Sequence, residues 1–387
     1  MVKAIKVMLI PNNVQKTKMF QYAGASRFAY NWALAREKEN YEKGGKFISD
    51  SELRKEFTKL RHSDEYAWLL NISNNVTKQA IKDACTAYKN FFKGLQKFPR
   101  FKSKKRSMPK FYQDNVKIQF SNTHVKFEGF SSSRKANKQK MNWVRLAEHG
   151  RIPTDVKYMN PRISFDGLNW WISVCVEFPD CREILNDDGV GIDLGIKDLA
   201  VCSDGTKYKN INKSQKVKKL EKQKRRLQRS ISRSYEKNKK GESYCKTNHV
   251  IKKEKLLLKR NHRLTNIRKN YLNQTISEII NRKPRFICIE DLNVSGMMKN
   301  RHLSKAVQEQ GFFWFRKQLE YKCSDKGIQL IVADRFYPSS KLCSCCGNIK
   351  KDLKLSDREY RCECGNIIDR DFQASINLKA YGERFAS

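Results

Sequence analysis

The sequence predicts an α+β protein of more than one domain: a small β-barrel interrupted by a helical insertion, then a layered α/β domain with a cysteine-rich insert. Three observations carry this. Short runs of alternating apolar residues recur between positions 116 and 178, the spacing of a small barrel or sandwich. From 190 to 334 the order is strand hairpin, long basic helical segment, strand, helix, strand, the pattern of a mixed sheet flanked by helices. Five of the twelve cysteines then crowd into residues 343–364.

A chain of 387 residues is long enough for two or three domains with sizeable cores. Its 80 Lys+Arg against 40 Asp+Glu give a formal net charge of +40, spread over long stretches. Such a field attracts polyanions, and nucleic acid rewards many cationic contacts by releasing counterions. No apolar run spans a bilayer, no lipidation motif is present, and the first residues, MVKAIKVMLIPNN, break their apolar positions with lysines unlike a signal peptide. A cytoplasmic location is therefore expected, where cysteines bind metal or are simply buried.

Residues 3–10 alternate apolar and basic side chains like a half-buried strand, which Pro11, Asn12 and Asn13 stop. Residues 14–43 read as a helix with Phe20, Phe28, Tyr30 and Trp32 among Lys16, Lys18 and Arg27; such stripes are more often core than base-stacking surface. A second helix is expected from the capping residues Asn74 and Asn75 through Val76, Ala80, Ala84, Tyr88 and Phe91. Residues 97–111, KFPRFKSKKRSMPKF, form a basic linker whose Arg100 and Lys102 are candidate phosphate contacts. Strand patterns follow at Val116, Ile118 and Phe120; Val125 and Phe127; Trp143 and Val144; Ile163 and Phe165; and Ile172 to Phe178, with a hairpin turn at Asp166-Gly167. The isolated first strand is expected to join these, making the helical region an insertion.

The stretch VGIDLGIKDLAVCSDG, residues 190–205, sets Asp193 in an apolar strand and closes a second strand with Asp204-Gly205, a strong hairpin signal. A carboxylate in a buried strand is costly unless compensated, and a divalent cation compensates it; a solvent-facing Asp on an edge strand is the plain alternative. Gly191 and Gly195 read as positions where a phosphate backbone approaches closely. Beyond lies the most basic region. Val217, Leu220, Leu227 and Ile231 form one helical stripe, and Val250, Leu257, Leu264 and Tyr271 recur every seven residues, so a long helical hairpin is expected with its turn in 232–248. Lys224, Arg225, Arg226 and Arg229 lie on its outer face, where charge of nearly one sign favours polyanion binding over a solvated face.

RFICIE, residues 285–290, is a buried strand ending in Glu290; a helix is expected from about Ser304 to Cys323, then a strand within residues 327–334. This order is that of a ribonuclease H type layer, whose site lies at strand carboxyl ends. Cys343 and Cys346 form C-x-x-C-G, and fifteen residues later Cys362 and Cys364 form C-x-C-G. Two such knuckles resemble a four-thiolate zinc ribbon, a structural site without an open position, with Cys345 as a surplus thiol. In IIDRDFQASINL, a helix beginning near Arg370 puts Asp371, Ala374, Leu378 and Tyr381 on one inward stripe and leaves Asp369 as the cap.

Together, GIDLGIKDLAV, ICIEDLNVSGM, CSCCG, CECG and IDRDFQASINL, with IPNNVQK, ASRFAYNWAL, PRFKSK and EHGRIP upstream, resemble the TnpB proteins of bacterial insertion sequences, relatives of the compact type V CRISPR effectors. The resemblance spans nearly the whole chain. It implies a wedge-type barrel (1–10 and 106–182) interrupted by a helical recognition lobe (11–105), then a RuvC nuclease domain (183–387) carrying a zinc ribbon insert (339–368). It also implies an RNA-guided DNA endonuclease whose partners are a guide RNA from the transposon end and double-stranded target DNA next to a short adjacent motif. Carried over by motif, Asp193, Glu290 and Asp371 are the catalytic acids holding two Mg²⁺ or Mn²⁺ ions, and Cys343, Cys346, Cys362 and Cys364 hold Zn²⁺. The departures are the shortened second knuckle and Gln373 in place of the family's usual Asn. A nuclease-inactive guided repressor and a metal-dependent transposase of the same fold are the alternatives; the first would lack one of the acids.

Overall fold

The computed structural model describes residues 1–131, 140–179, 182–354 and 357–386, the side chain of Lys240 aside. It divides into two compact units, Met1–Pro179 and Asp180–Ser387. Cys181 and two residues of the cysteine-rich insert, 355 and 356, lie outside the described residues. The chain is mixed α and β throughout.

In the first unit, β1 (Val2–Ile10) pairs antiparallel with two partners supplied from beyond the helices. The strands are β2 (Lys110–Tyr112), β3 (Gln119–Phe120), β4 (His124–Lys126), β5 (Trp143–Leu146), β6 (Tyr158–Phe165) and β7 (Trp170–Glu177). Their order in the sheet is β2-β6-β7-β1-β5-β4-β3. Between β1 and β2 lie α1 (Asn13–Glu42), α2 (Asp50–Arg61) and α3 (Asn74–Phe92). Helix α1 starts with a capping box: the Asn12 side chain accepts from Gln15 N and the Gln15 side chain accepts from Asn12 N. Gln15 Nε2 also donates to the Met141 and Trp143 carbonyls at 3.0 and 2.9 Å, fixing the helix to the strand that follows. Tyr22, Tyr30, Phe57, Phe111, Phe127 and Trp170 share one core, so the aromatic stripe of α1 is largely core.

Three sequence expectations change here, and two candidate phosphate contacts differ in exposure. Helix α2 had no counterpart in the sequence reading; its apolar face is only Leu53 and Phe57, too sparse a period to stand out. The cap of α3 is Ser73, whose Oγ accepts from Asn75 N, rather than Asn74 or Asn75. Val116 is 88% exposed in a turn, where the Asp114 carboxylate accepts from the Val116 and Lys117 amides, so the strand begins only at Gln119. Lys102 is half-buried with its ammonium 3.0 Å from the Tyr30 ring centre. Burial, helped by the Lys110 charge, drags that ammonium down to about 7, whereas Arg100 is exposed.

The second unit is a five-stranded sheet ordered β10-β9-β8-β13-β14. Hairpin β8 (Val190–Leu194) and β9 (Asp198–Cys202) continues through Gly205, at φ 84°, into β10 (Lys207–Lys209). Helices α4 (Gln215–Lys237) and α5 (Asn248–Asn281) form the long hairpin, with β11 (Lys239–Lys240) and β12 (Ser243–Tyr244) at its tip. Then come β13 (Phe286–Glu290), α6 (Val294–Lys299), α7 (Ser304–Gln310), α8 (Phe312–Lys326) and β14 (Gln329–Ala333). The single helix expected from 304 is split, because Gly311 adopts a left-handed conformation at φ 70° and ends α7. A short hairpin, β15 (Glu359–Arg361) with β16 (Ile367–Asp369), leads into α9 (Arg370–Phe385).

Strand periodicity gives the sheet two distinct faces. Val190, Ile192 and Leu194 of β8 and Ile287 and Ile289 of β13 join a core with Leu272 and Ile276 of α5 and Phe315 and Leu319 of α8. The opposite face carries Phe286 and Cys288, which pack with Leu378 of α9. By the same alternation Gly191, Asp193 and Glu290 belong to the α9 face.

Candidate functional site

Strands β8 and β13 are parallel, with Cys288 opposite Gly191 and Ile289 opposite Ile192. Asp193 and Glu290 come next along each strand, at the carboxyl side of the sheet. Asp371 lies in the first turn of α9, the helix packed on that face. The three acids line one cavity of ≈ 580 Å³ together with Lys197, Lys213, Arg358 and Arg370. The register of α9 separates its two acids. Asp369 is the N-cap, its Oδ1 accepting from the Asp371 and Phe372 amides at 3.1 Å each, and its Oδ2 lies 3.2 Å from Lys207 Nζ. Asp371 turns into the cavity.

Electrostatics tie the three acids together. Burial pushes the Asp193 carboxyl well above the usual carboxylate range, and the neighbouring Glu290 and Asp371 charges push it further, against the opposing pull of Arg370. Burial also raises Glu290, with Asp371 adding to it and the hydroxyl of Ser339 opposing by donating to Glu290 Oε1. At Asp369 the upward push of burial is outweighed by the Phe372 amide and Lys207, so its carboxyl sits below the usual range. Carboxylates that penalise one another's charge in a shared cavity are the donor set that a hard divalent cation relieves.

Gly191 has a different job from the one its sequence suggested. A Cβ there would lie 2.0 Å from Ser375 O and 2.3 Å from Lys379 N, both backbone atoms of α9. The glycine therefore admits the helix that carries Asp371 rather than a phosphate backbone. Gly382 makes the reciprocal accommodation, since a Cβ on it would meet the Phe286 ring at 2.3 Å and Cys288 Cβ at 3.0 Å.

The cysteine knuckles precede α9. The sulfurs of Cys343, Cys346, Cys362 and Cys364 all lie within 4.8 Å of one another, while Cys345 is exposed outside that group. Each knuckle closes through a glycine of positive φ, Gly347 at 75° and Gly365 at 88°. The Gly347 amide donates to Cys343 O and the Gly365 amide to Cys362 O, at 3.0 Å each. The missing residue of the second knuckle thus leaves the turn intact, and the four thiols suit a tetrahedral metal. Buried Gln373 donates to the Leu342 carbonyl at 2.7 Å, and buried Asn377 donates to Ser339 O and Leu342 O at 2.7 Å each. These bonds clamp the start of the insert onto α9 next to Ser339 and Glu290.

Of the basic residues named on α4, Arg225, Arg226 and Arg229 are exposed and line a ≈ 610 Å³ groove with Lys218, Lys222 and Lys305. Lys224 differs, being 2.9 Å from Glu221 and only 20% exposed, so its charge is already answered. Glu221 and Glu309 both pair with Arg268, at 3.1 and 3.2 Å, which braces the groove floor. Sequence reasoning did not single out Ser339, Arg358 or Arg370; only Arg370 had a local signal, its place between two aspartates.

Residues 173–301 match a family described as "Probable transposase", residues 312–378 match a "Cas12f1-like, TNB domain", and residues 1–46 match a "Helix-turn-helix domain". The last stretch folds here as β1 and the single long helix α1. InsQ of Escherichia coli (strain K12), whose name is that of an RNA-guided DNA endonuclease, is 30% identical over 399 residues, covering 98% of this chain and 92% of its own. A Streptomyces pristinaespiralis protein of similar name is 29% identical over 382 residues, covering 98% and 89%. Among solved structures, Cas12f1 in complex with sgRNA and target DNA aligns with a TM-score of 0.61 at 11% identity over 98% of both chains, a likeness of fold. The chain belongs to the TnpB family of insertion-sequence proteins, the RNA-guided DNA endonucleases.

Proposed function

We propose that this chain cleaves DNA under RNA guidance, with Asp193, Glu290 and Asp371 as the catalytic acids of a RuvC nuclease domain (183–387). The observation that carries the reading is the meeting of three carboxylates from β8, β13 and α9 in one cavity, where burial first, and then their mutual charge, raises Asp193 and Glu290 above their ordinary range. Mg²⁺ or Mn²⁺ suits that oxygen donor set, and Zn²⁺ suits the four thiols. When bound, the divalent ions supply Lewis-acid charge at the scissile phosphate. The zinc is structural.

The remaining steps belong to the chain's own residues. Ser339 orients Glu290, and Gln373 and Asn377 hold the Ser339 segment against α9. Lys197, Arg358 and Arg370 put positive charge on the cavity wall, where a DNA phosphodiester can be held against the acids. In the first unit the sheet is read as a wedge barrel and residues 11–105 as its recognition lobe; the insert 339–368 is read as the zinc ribbon. The exposed arginines of α4 hold nucleic-acid backbone, while sequence is read by pairing between a guide RNA from the transposon end and double-stranded target DNA. Such a protein works in the cytoplasm, on the nucleoid.

The test is to sequence the RNA that copurifies with the protein, then to compare cutting of matched and mismatched plasmids with and without it. Cutting of the matched plasmid alone, and only with RNA, is expected. Equal cutting of both plasmids by RNA-free protein would sink the guided reading.

A further inference from the structure

We propose that the exposed aromatic patch at the carboxyl ends of α1 and α3 is a stacking platform for unpaired nucleobases. Tyr41 is 65% exposed, Phe92 53% and Phe98 44%, and Leu95 between them is 70% exposed. They form one surface: the Tyr41 and Phe92 rings lie 6.1 Å apart, Phe92 lies over Tyr88 at 6.1 Å and an interplanar angle of 21°, and Phe98 meets Tyr88 edge-on at 5.5 Å. Buried Tyr88 anchors the set to the core. An apolar surface of contiguous rings on a soluble unit marks a contact site.

Charge says what covers it. From position 84 to 113 the chain has nine Lys or Arg and no Asp or Glu. Lys93, Lys97 and Arg100 are exposed and stand outside every ion pair among the described residues. Of the acids on α1, Glu39 is paired with Lys43 at 2.8 Å and Glu42 with Lys38 at 3.5 Å, while Glu37 is buried beneath the surface, its Oε2 accepting from the Ile48 amide. A second copy would bring this patch against itself across a two-fold axis, setting like charges face to face. A polyanion meets no such penalty, and a single strand offers the rings a π-face at every base and the lysines a phosphate beside it. This inference rests on the reading that the chain holds RNA and DNA, and adds the place where unpaired nucleotides of either are gripped.

The experiment uses the full chain freed of copurified nucleic acid, and fluorescent single strands followed by anisotropy across a salt series. The strands are oligo-dT, oligo-U and an abasic oligomer of equal length, so that phosphates are matched and only the bases differ. Wild-type protein should bind the base-bearing strands about tenfold more tightly than the abasic one. The Tyr41→Ala/Phe92→Ala/Phe98→Ala variant should lose that preference while keeping its salt slope, and Phe92→Leu, which keeps apolar area without a ring, should weaken it. Unchanged melting temperature and zinc content identify a folded variant; if the triple variant melts early, Phe92→Leu carries the test. The larger loss between oligo-dT and oligo-U identifies the strand. A base preference absent from wild type or retained in both variants overturns the proposal, as does a patch that instead governs dimerisation or binding to phosphatidylglycerol vesicles. Guided plasmid cleavage run alongside reports on the proposed function separately, since the abasic comparison does not depend on cutting.

Discussion

Asp193 and Glu290 occupy equivalent places on two neighbouring parallel strands, each one residue beyond the paired Ile192 and Ile289. The isoleucines point into the core with α5 and α8, so the acids must point the other way, toward α9. One register therefore buries the hydrophobic pair and delivers the carboxylate pair. A slip of one residue in either strand would exchange the two.

From this geometry, Asp193→Ala, Glu290→Ala and Asp371→Ala are each expected to abolish plasmid cleavage while leaving RNA and DNA binding near wild type in a gel-shift assay. Asp369→Ala should keep cleavage and lose its helix cap, at a cost of about 0.5–2 kcal/mol in denaturant unfolding. An inactive Asp369→Ala beside an active Asp371→Ala would invert the roles assigned to them.

Raised carboxyl groups set a pH dependence of definite sign. A group whose folded pKa lies above its unfolded value costs stability at pH above the folded pKa, and that cost fades as pH falls through it. Metal-free Asp193→Asn should therefore melt above metal-free wild type at pH 7 to 8, with the gap narrowing as the buffer is acidified. Added Mg²⁺ should stabilise wild type more than the variant. Calorimetry showing a gap that widens toward acid would contradict the assignment.

For the thiols, Cys346→Ser or Cys362→Ser should lower zinc content and melting temperature, because a tetrahedral site needs all four ligands. Cys345→Ser, outside the cluster, should change neither. Elemental analysis decides, and full zinc in Cys346→Ser would reassign the knuckle.

Gly191→Ala tests the seat of α9. Its Cβ would overlap helix backbone, which cannot rotate away, so α9 must shift and carry Asp371 with it. A loss of stability in the range of about 1–3 kcal/mol typical of overpacking, together with lost cleavage, is expected. Gly205→Ala meets no atom within 4 Å and bears only the strain of its φ of 84°, so it should keep cleavage. Cleavage by Gly191→Ala at the wild-type rate would show that the close approach is not needed.

On α4, reversing Arg225, Arg226 and Arg229 together should weaken nucleic-acid binding and flatten its salt dependence by roughly one unit of slope for each phosphate no longer neutralised. Circular dichroism should be unchanged, because Val217, Leu220 and Ile231 still pack. Arg268→Ala should instead lower stability by leaving Glu221 and Glu309 without their shared partner.

Local chemistry made much of this protein legible in its sequence. The alternation around Asp193, the strand ending at Glu290, the paired Cys-Gly knuckles and the helix starting at Arg370 are patterns with periods of two or 3.6 residues, or fixed turn spacings, that a chain displays by itself. The charge of +40 likewise announced a polyanion partner. Around the site, where reading failed, the cause was an interaction with a distant segment. Gly191 looked like room for a phosphate because nothing nearby reveals that α9, nearly two hundred residues later, lies on it. Lys102 looked like an exposed cation, but it is half-buried against Tyr30, some seventy residues earlier. Ser339 reaches Glu290 only through the folded insert. The sequence by itself determined which residues carry charge, thiol and strand or helix period. Tertiary structure alone decided which of those charges face one another, because desolvation and pairing depend on what packs above a residue and not on its neighbours along the chain.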